Sequence, residues 1–160
     1  MRSEAEINQA IERYSDMVWR ICMLHLKNHA DTDDIFQTVF LKYALYKGTF
    51  ENEQHEKAWL IRVTINACKD LLKSFFRNRT ISLEEVMEQV SALHNDDKGV
   101  LEAVLSLPQK YRDVVYLHYY EGYTAPELSK ILHKNVNTIY TLLTRSKQLL
   151  KKQLGGDDDE

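Results

Sequence analysis

Between Leu107 and Leu154 the chain has three helix-forming runs separated by two breaks, and the chemistry at each break fixes where one helix stops and the next begins. Pro108 opens the first run, where its missing N–H costs nothing. Val114, Val115 and Leu117 give that run an apolar side, and Gly122 is suited to the left-handed position that closes it. Thr124 to Glu127 has the Thr-x-x-Glu form of a capping box. Pro126 falls in the first turn, where N–H groups lack helical partners anyway. The second run places Leu128, Ile131 and Leu132 inward. His133, Lys134 and Asn135 break it, and Asn135 is a good N-cap for the third run. That run carries Val136, Ile139, Leu143 and Ser146 on one side at helical spacing.

Two short helices joined by a tight turn form the helix-turn-helix pattern, whose second helix enters the major groove of DNA. Lys134 and Asn135 lead that helix here. Asn137, Thr138, Tyr140, Thr141, Thr144, Arg145 and Lys147 are expected away from its apolar side. No acid stands between Leu128 and Gly156, whereas Lys134, Arg145, Lys147, Lys151 and Lys152 all do. Such a stripe supplies sequence-independent affinity for phosphate. The plainer account of the same residues is a helical hairpin with a solvated basic face.

The net charge of -3 hides this asymmetry. Residues 1–76 are nearly neutral, residues 101–154 hold eight Lys and Arg against four acids, and the last six residues hold four acids and no base. A basic C-terminal domain beside a neutral one favours a nucleic-acid partner. With 5 Gly and 2 Pro in 160 residues the usual punctuation of turns is scarce, and no stretch alternates as a strand does. The expected fold is all-α: two small helical domains joined by a linker, the C-terminal one a helix-turn-helix.

The N-terminal half is read as three helices. The first spans about Glu4 to Leu26, with Ile7, Ile11, Tyr14, Val18, Ile21, Met23 and Leu24 near helical spacing. Asp31 is expected to cap the second, with Asp34 at its third position. Ile35, Phe36, Val39, Phe40, Tyr43 and Ala44 face inward and Gly48 ends it. A polar loop containing Phe50 leads to a long helix from about Lys57 to Phe76, with Ala58, Leu60, Val63, Ala67 and Leu71 toward a core. Arg62, Asn66, Lys69 and Lys73 fall at steps of four, three and four and line another stripe. A solvated polar face is the bland alternative for that stripe. Arg77 to Gly99 is acidic on balance and reads as a linker, in which Ile81, Leu83, Val86 and Val90 suit a short amphipathic element. Gly155 to Glu160 reads as an acidic tail.

Cys22 and Cys68 do not suggest a disulfide scaffold. Cys22, His25 and His29 share a helical face if one helix runs through them, and thiolate and imidazole suit zinc. A fourth ligand is not evident, so no metal site is assigned. There is no Gly-rich phosphate loop, nucleophile elbow or His-Glu-x-x-His, so neither an enzyme nor a cofactor is expected. No apolar run is long enough to span a bilayer and no signal peptide is evident, so a cytoplasmic location is expected.

Taken together, several stretches resemble a bacterial RNA polymerase sigma factor of the extracytoplasmic-function group. Asp33-Asp34-Ile-Phe-Gln-Thr-Val-Phe resembles the clamp-binding segment of sigma domain two. Lys57-Ala-Trp-Leu-Ile-Arg-Val-Thr-Ile-Asn-Ala-Cys-Lys-Asp resembles its promoter-melting helix. Leu107-Pro-Gln-Lys-Tyr-Arg-Asp-Val, followed by Glu121-Gly-Tyr-Thr, resembles the opening of sigma domain four. The resemblance implies domain two over 1–76, a linker over 77–99, domain four over 100–154 and a tail over 155–160, with no further central domain. It implies contact with core RNA polymerase at the clamp of the largest subunit and at the flap, contact with promoter DNA, and control by an anti-sigma protein.

By the same resemblance, Asp34 and Gln37 meet polymerase. Phe50, Arg62, Asn66, Lys69 and Lys73 hold the melted strand, since unpaired bases need stacking, amide hydrogen bonds and nearby cations. Trp59 invites a stacking role but is read as a core residue. The helix-turn-helix residues read the minus-thirty-five element. The chain departs from the family pattern at Thr38, where Glu is usual, at His133, where Gly is usual, and at Leu142, where Arg is frequent and would bind guanine. An altered sequence preference is expected. The alternative is a helix-turn-helix regulator that never engages polymerase.

Overall fold

Helix α1 (Glu4–Leu26) begins at a capping box between Ser3 and Glu6. The Glu6 N–H donates to Ser3 Oγ at 3.1 Å, and the Ser3 N–H donates back to the Glu6 carboxylate at 3.3 Å. The computed structural model describes residues 1–26, 28–78, 104 and 107–153. Every regular element among them is helical, as expected, and the chain divides between residues 89 and 90 into two units. The expected amphipathic element at Ile81 to Val90, most of the expected linker and the acidic tail lie outside the described residues.

In the first unit α1, α2 (His29–Leu45) and α3 (Glu53–Asn78) pack pairwise on one another. Ala10, Tyr14, Met17, Val18, Ile21 and Cys22 form the inward stripe of α1; Ile35, Val39, Phe40, Tyr43 and Ala44 form that of α2. Asn28, not Asp31, caps α2. Its Oδ1 accepts the Asp31 N–H at 2.8 Å, and its Nδ2 donates to the Asp31 carboxylate at 2.8 Å. The helix therefore starts earlier than the aspartates suggest, and Asp31 is its third residue. It ends at Leu45 with Tyr46 as cap, short of Gly48.

The inward face of α3 also differs from expectation. Leu60 and Ala67 are buried, but Ala58, Val63 and Leu71 are only half-buried, and Ile61, Thr64, Ile65 and Cys68 complete the face. Thr64 can face inward because its hydroxyl donates to the Leu60 carbonyl at 2.6 Å, leaving its methyl to the core. The helix continues two residues beyond the expected end at Phe76.

In the second unit α4 (Gln109–Val115) follows Pro108, runs directly into a π-helical turn at Tyr116–Tyr120, and is followed by α5 (Ala125–Leu132) and α6 (Val136–Gln153). The wide turn is marked by the Glu121 N–H donating to the Tyr116 carbonyl at 3.2 Å. Gly122 lies at φ +82°, the left-handed closure its sequence position requires. Leu107, Val114, Leu117, Leu128 and Ile139 are fully enclosed. Arg112 is carried inward with them. Its Nε–H donates to the Leu107 carbonyl at 2.9 Å; burial lowers its pKa, and the neighbouring Asp113 charge opposes that shift.

Candidate nucleic-acid interface

The joint between α5 and α6 is built by local hydrogen bonds. Thr124 and Glu127 form the expected capping box, with the Thr124 N–H donating to Glu127 Oε1 at 2.8 Å. These bonds from Thr124 hold the Glu127 carboxyl below its usual range. His133 ends α5 in the left-handed region at φ 56°, ψ 45°. The turn is stitched by the Lys134 N–H donating to the Ser129 carbonyl and by Ser129 Oγ–H donating to the Lys134 carbonyl at 2.5 Å. Asn135 then caps α6, its Oδ1 accepting the Asn137 N–H at 2.8 Å.

On α6, Ile139, Leu142 and Ser146 are buried and Leu143 is half-buried. Ser146 satisfies its hydroxyl on the Leu143 carbonyl at 2.9 Å, which lets it sit inside. Asn137, Thr138, Tyr140, Thr141, Thr144, Arg145 and Lys147 are all exposed, as are Lys134 and Asn135. At about 100° per residue, Asn137, Thr141, Thr144 and Gln148 follow the middle of the outward face. Thr138, Arg145 and Lys152 form one shoulder; Tyr140, Lys147 and Lys151 form the other. Uncharged hydrogen-bonding groups between two cationic edges suit a helix lying in a groove, with bases ahead and phosphates on either wall. Gln148 belongs to this set and was missed in the sequence, where it looked like one polar residue among many.

In the first unit the Arg62, Asn66, Lys69 and Lys73 stripe lies on the side of α3 opposite its buried face. Asn66, Lys69 and Lys73 are exposed and Arg62 is half-buried. Trp59 stands one step before this stripe, half-buried rather than in the core. It belongs to a cluster of rings around the loop between α2 and α3. Phe50 stacks on Tyr46 at 5.4 Å between centroids, meets Trp59 edge-on at 5.6 Å, and lies nearly parallel to Tyr43 at 6.1 Å. Tyr46 also meets Trp59 at 4.8 Å. Arg2 lies against three of these rings, its guanidinium carbon 4.8 Å from the centroids of both Tyr43 and Phe50 and 5.8 Å from Tyr46. Such contacts contribute about 0.5–2 kcal/mol each. A cationic and amide-bearing track thus begins at a stack of aromatic rings, the pairing that single-stranded nucleic acid requires.

The outer face of α2 carries Asp34, Gln37, Leu41 and Leu45, all exposed and within about 100° of one another around the helix. Leu41 and Leu45 are 59% and 55% exposed, unusual for leucines on a packed helix. Thr38, on the same face, donates its hydroxyl to the Asp34 carbonyl at 2.9 Å.

The sigma-70 region 2 family matches residues 10–79, and the sigma-70 region 4 family matches residues 98–150. Among curated proteins, the chain is 27% identical to RNA polymerase sigma factor SigV of Bacillus subtilis, covering 88% of this chain and 86% of that one. It is 25% identical to the ECF RNA polymerase sigma factor SigW of the same organism, covering 90% and 86%. The chain belongs to the extracytoplasmic-function sigma factors. Two solved structures share the fold. CnrH in complex with the cytosolic domain of CnrY has a TM-score of 0.70 at 20% identity, covering 98% of this chain and 92% of that one. The sigma factor RpoE in complex with the anti-sigma factor NepR from Bartonella quintana has a TM-score of 0.65 at 16% identity, covering 97% and 99%.

Two further sequence expectations for this sigma factor need correction. Leu142, whose position suggested a missing Arg–base contact, is 8% exposed and belongs to the core of the region 4 unit. Cys22, His25 and His29 do not share one helical face. Here α1 ends at Leu26 with Cys22 and His25 buried, while His29 is the first residue of α2, its ring 6.0 Å from Trp19. Among the described residues no group of three or more His, Cys, Asp and Glu is placed to hold a metal ion. No described helix of the sigma factor is long and apolar enough to cross a membrane.

Proposed function

We propose that this sigma factor recruits core RNA polymerase to promoters through three separate surfaces. The outer face of α2, Asp34 and Gln37 continued by Leu41 and Leu45, docks on the clamp of the largest subunit. The α3 stripe of Arg62, Asn66, Lys69 and Lys73, with the ring cluster around Phe50, holds the displaced strand once the duplex opens. The outward face of α6 from Lys134 to Lys147, with Gln148, reads the upstream duplex element. The region 4 unit also meets the polymerase flap. The sigma factor works in the cytoplasm, holds no cofactor, and has no catalytic centre of its own.

The observation that carries this reading is the joint match of region 2 and region 4 in one chain. A regulator confined to duplex binding has no use for the first region, nor for a cationic track leading from aromatic rings. Both solved relatives described above are complexes, one of them named as containing an anti-sigma factor. An anti-sigma protein that covers α2 or α6 of this chain is proposed on the same ground.

The test is transcription in vitro with purified core polymerase on templates selected by the reconstituted holoenzyme from a randomised duplex library. Promoter-specific starts that require this chain are expected. Duplex binding without any specific start, and without co-elution with core polymerase, would leave only a helix-turn-helix regulator.

A further inference from the structure

Arg2 lies outside every motif of the sequence, yet it lies against Tyr43, Tyr46 and Phe50, the same three rings that Trp59 of α3 meets. Its backbone N–H donates to the Ala44 carbonyl at 2.9 Å near the end of α2. One arm of the guanidinium donates to the Gly48 carbonyl at 2.7 Å, in the loop that leads to Phe50. The other reaches the Glu6 carboxylate at 3.2 Å. Its side chain is only 12% exposed, and its buried Nε has no hydrogen-bond partner. The capping box of Ser3 and Glu6 fixes the backbone just beyond it. Gly48 is itself covered, because a Cβ there would collide with the Tyr46 hydroxyl and ring. Arg2, Gly48, Tyr46 and Phe50 therefore form one closed arrangement: the guanidinium grips the loop from one side while Tyr46 lies over it from another.

We propose that Arg2 is a positioning residue for strand capture, holding the loop between α2 and α3 and the Tyr43, Tyr46 and Phe50 rings in the geometry that receives an unpaired base. The proposal rests on the reading that this cluster and the α3 stripe hold the melted strand. Arg2 touches no base in this scheme. It acts through Gly48 and Phe50. A buried Nε–H left without a partner is costly, so the residue is held there by its other contacts. A planar fork meets the rings and the carbonyl together, which a lysine ammonium does not.

The experiment compares holoenzymes carrying Arg2→Ala, Phe50→Ala and both changes on a promoter selected by the wild-type holoenzyme. Permanganate reactivity of thymines reports opening, and core-polymerase affinity and duplex retention are measured beside it. Arg2→Ala is expected to reduce opening about tenfold, with both affinities within about twofold of wild type. The double variant is expected to be no worse than Phe50→Ala, because two residues acting through one arrangement do not add. Arg2→Lys keeps the charge and is expected to keep the melting temperature yet lose at least about threefold in opening. It carries the test should Arg2→Ala unfold. Wild-type opening in Arg2→Ala or Arg2→Lys while Phe50→Ala is impaired overturns the role of Arg2 and leaves the strand-capture reading standing. Losses that multiply in the double variant overturn it too. Wild-type opening in both Phe50→Ala and Asn66→Ala overturns the strand-capture reading, and the role of Arg2 falls with it.

Discussion

The Tyr43 hydroxyl donates to the Glu56 carboxylate at 2.6 Å, fastening α2 to the start of α3 beneath the ring cluster. Tyr14 of α1 donates to the same carboxylate at 3.2 Å, so one acid gathers all three helices of the region 2 unit. Burial first, and then Glu56, raises the pKa of both phenols; that of Tyr14 rises from 10.0 to about 12. The folded state thus holds these protons more tightly than the unfolded chain does. The stability they confer is whole below the ordinary phenol pKa and is lost as pH rises from there toward about 12. Thermal melts over this alkaline range should show the melting temperature falling, and the fall should be shallower in Tyr14→Phe.

Left-handed backbone at a non-glycine residue is costly, and His133 is the only such residue among those described. Gly at this position relieves the strain but loosens the unfolded chain. The net expectation for His133→Gly is a gain of about 0.5–1 kcal/mol. It would be read as a higher urea midpoint at unchanged slope. No gain would mean that the freedom Gly adds to the unfolded chain fully offsets the strain it relieves.

Arg145 lies on one cationic shoulder of α6. Arg145→Ala should weaken duplex binding and reduce the salt slope of log affinity by about 0.9. Gln148→Ala, in the middle of the face, should change sequence preference instead and leave that slope as it was. Binding titrations at several salt concentrations distinguish the two effects.

Asn66 is exposed on α3 among the cations of the stripe. Asn66→Ala should leave duplex binding by the region 4 unit nearly unchanged while reducing promoter opening. Identical permanganate footprints in variant and wild type would contradict this assignment.

Leu41 is exposed on the same face as Asp34 and Gln37. Leu41→Asp should lower affinity for core polymerase at least about tenfold, without a fall in melting temperature, because no packing is lost. Co-elution with core polymerase at moderate salt gives the first measurement, and a normal elution profile would remove Leu41 from the docking face.

Local chemistry made the α5–α6 joint readable from the chain alone. Thr124 and Glu127, Asn135 and Gly122 each solve a hydrogen-bond or backbone problem within a few residues, and all act where their spacing put them. Inward-facing polar residues were legible in part. Thr64 looks like a surface residue until its hydroxyl is seen bonded to its own helix, whereas the spacing alone put Ser146 on the inward side. Asn28 was hidden because Asp31, with Asp33 and Asp34 behind it, is the more conspicuous cap three residues later. The ring cluster was least legible, since Arg2 and Gly48 stand 46 residues apart and nothing in either neighbourhood announces the contact.

The π-helical turn at Tyr116–Tyr120 has a consequence for how α6 is aimed. A turn wound wide carries extra backbone without adding a full step along the axis. Deleting one residue from Tyr116–Tyr120 would return the turn to ordinary winding and leave the chain beyond it on nearly the same bearing, because the wide turn already takes up that residue. The regular helix Gln109–Val115 has no such slack, and losing one residue there would swing everything beyond it by about 100° around the α4 axis. The turn is a one-residue tolerance wound into the backbone: α5 and α6 can still meet the core built on Val114 and Leu117 after a loss at Tyr116–Tyr120 that α4 would not survive.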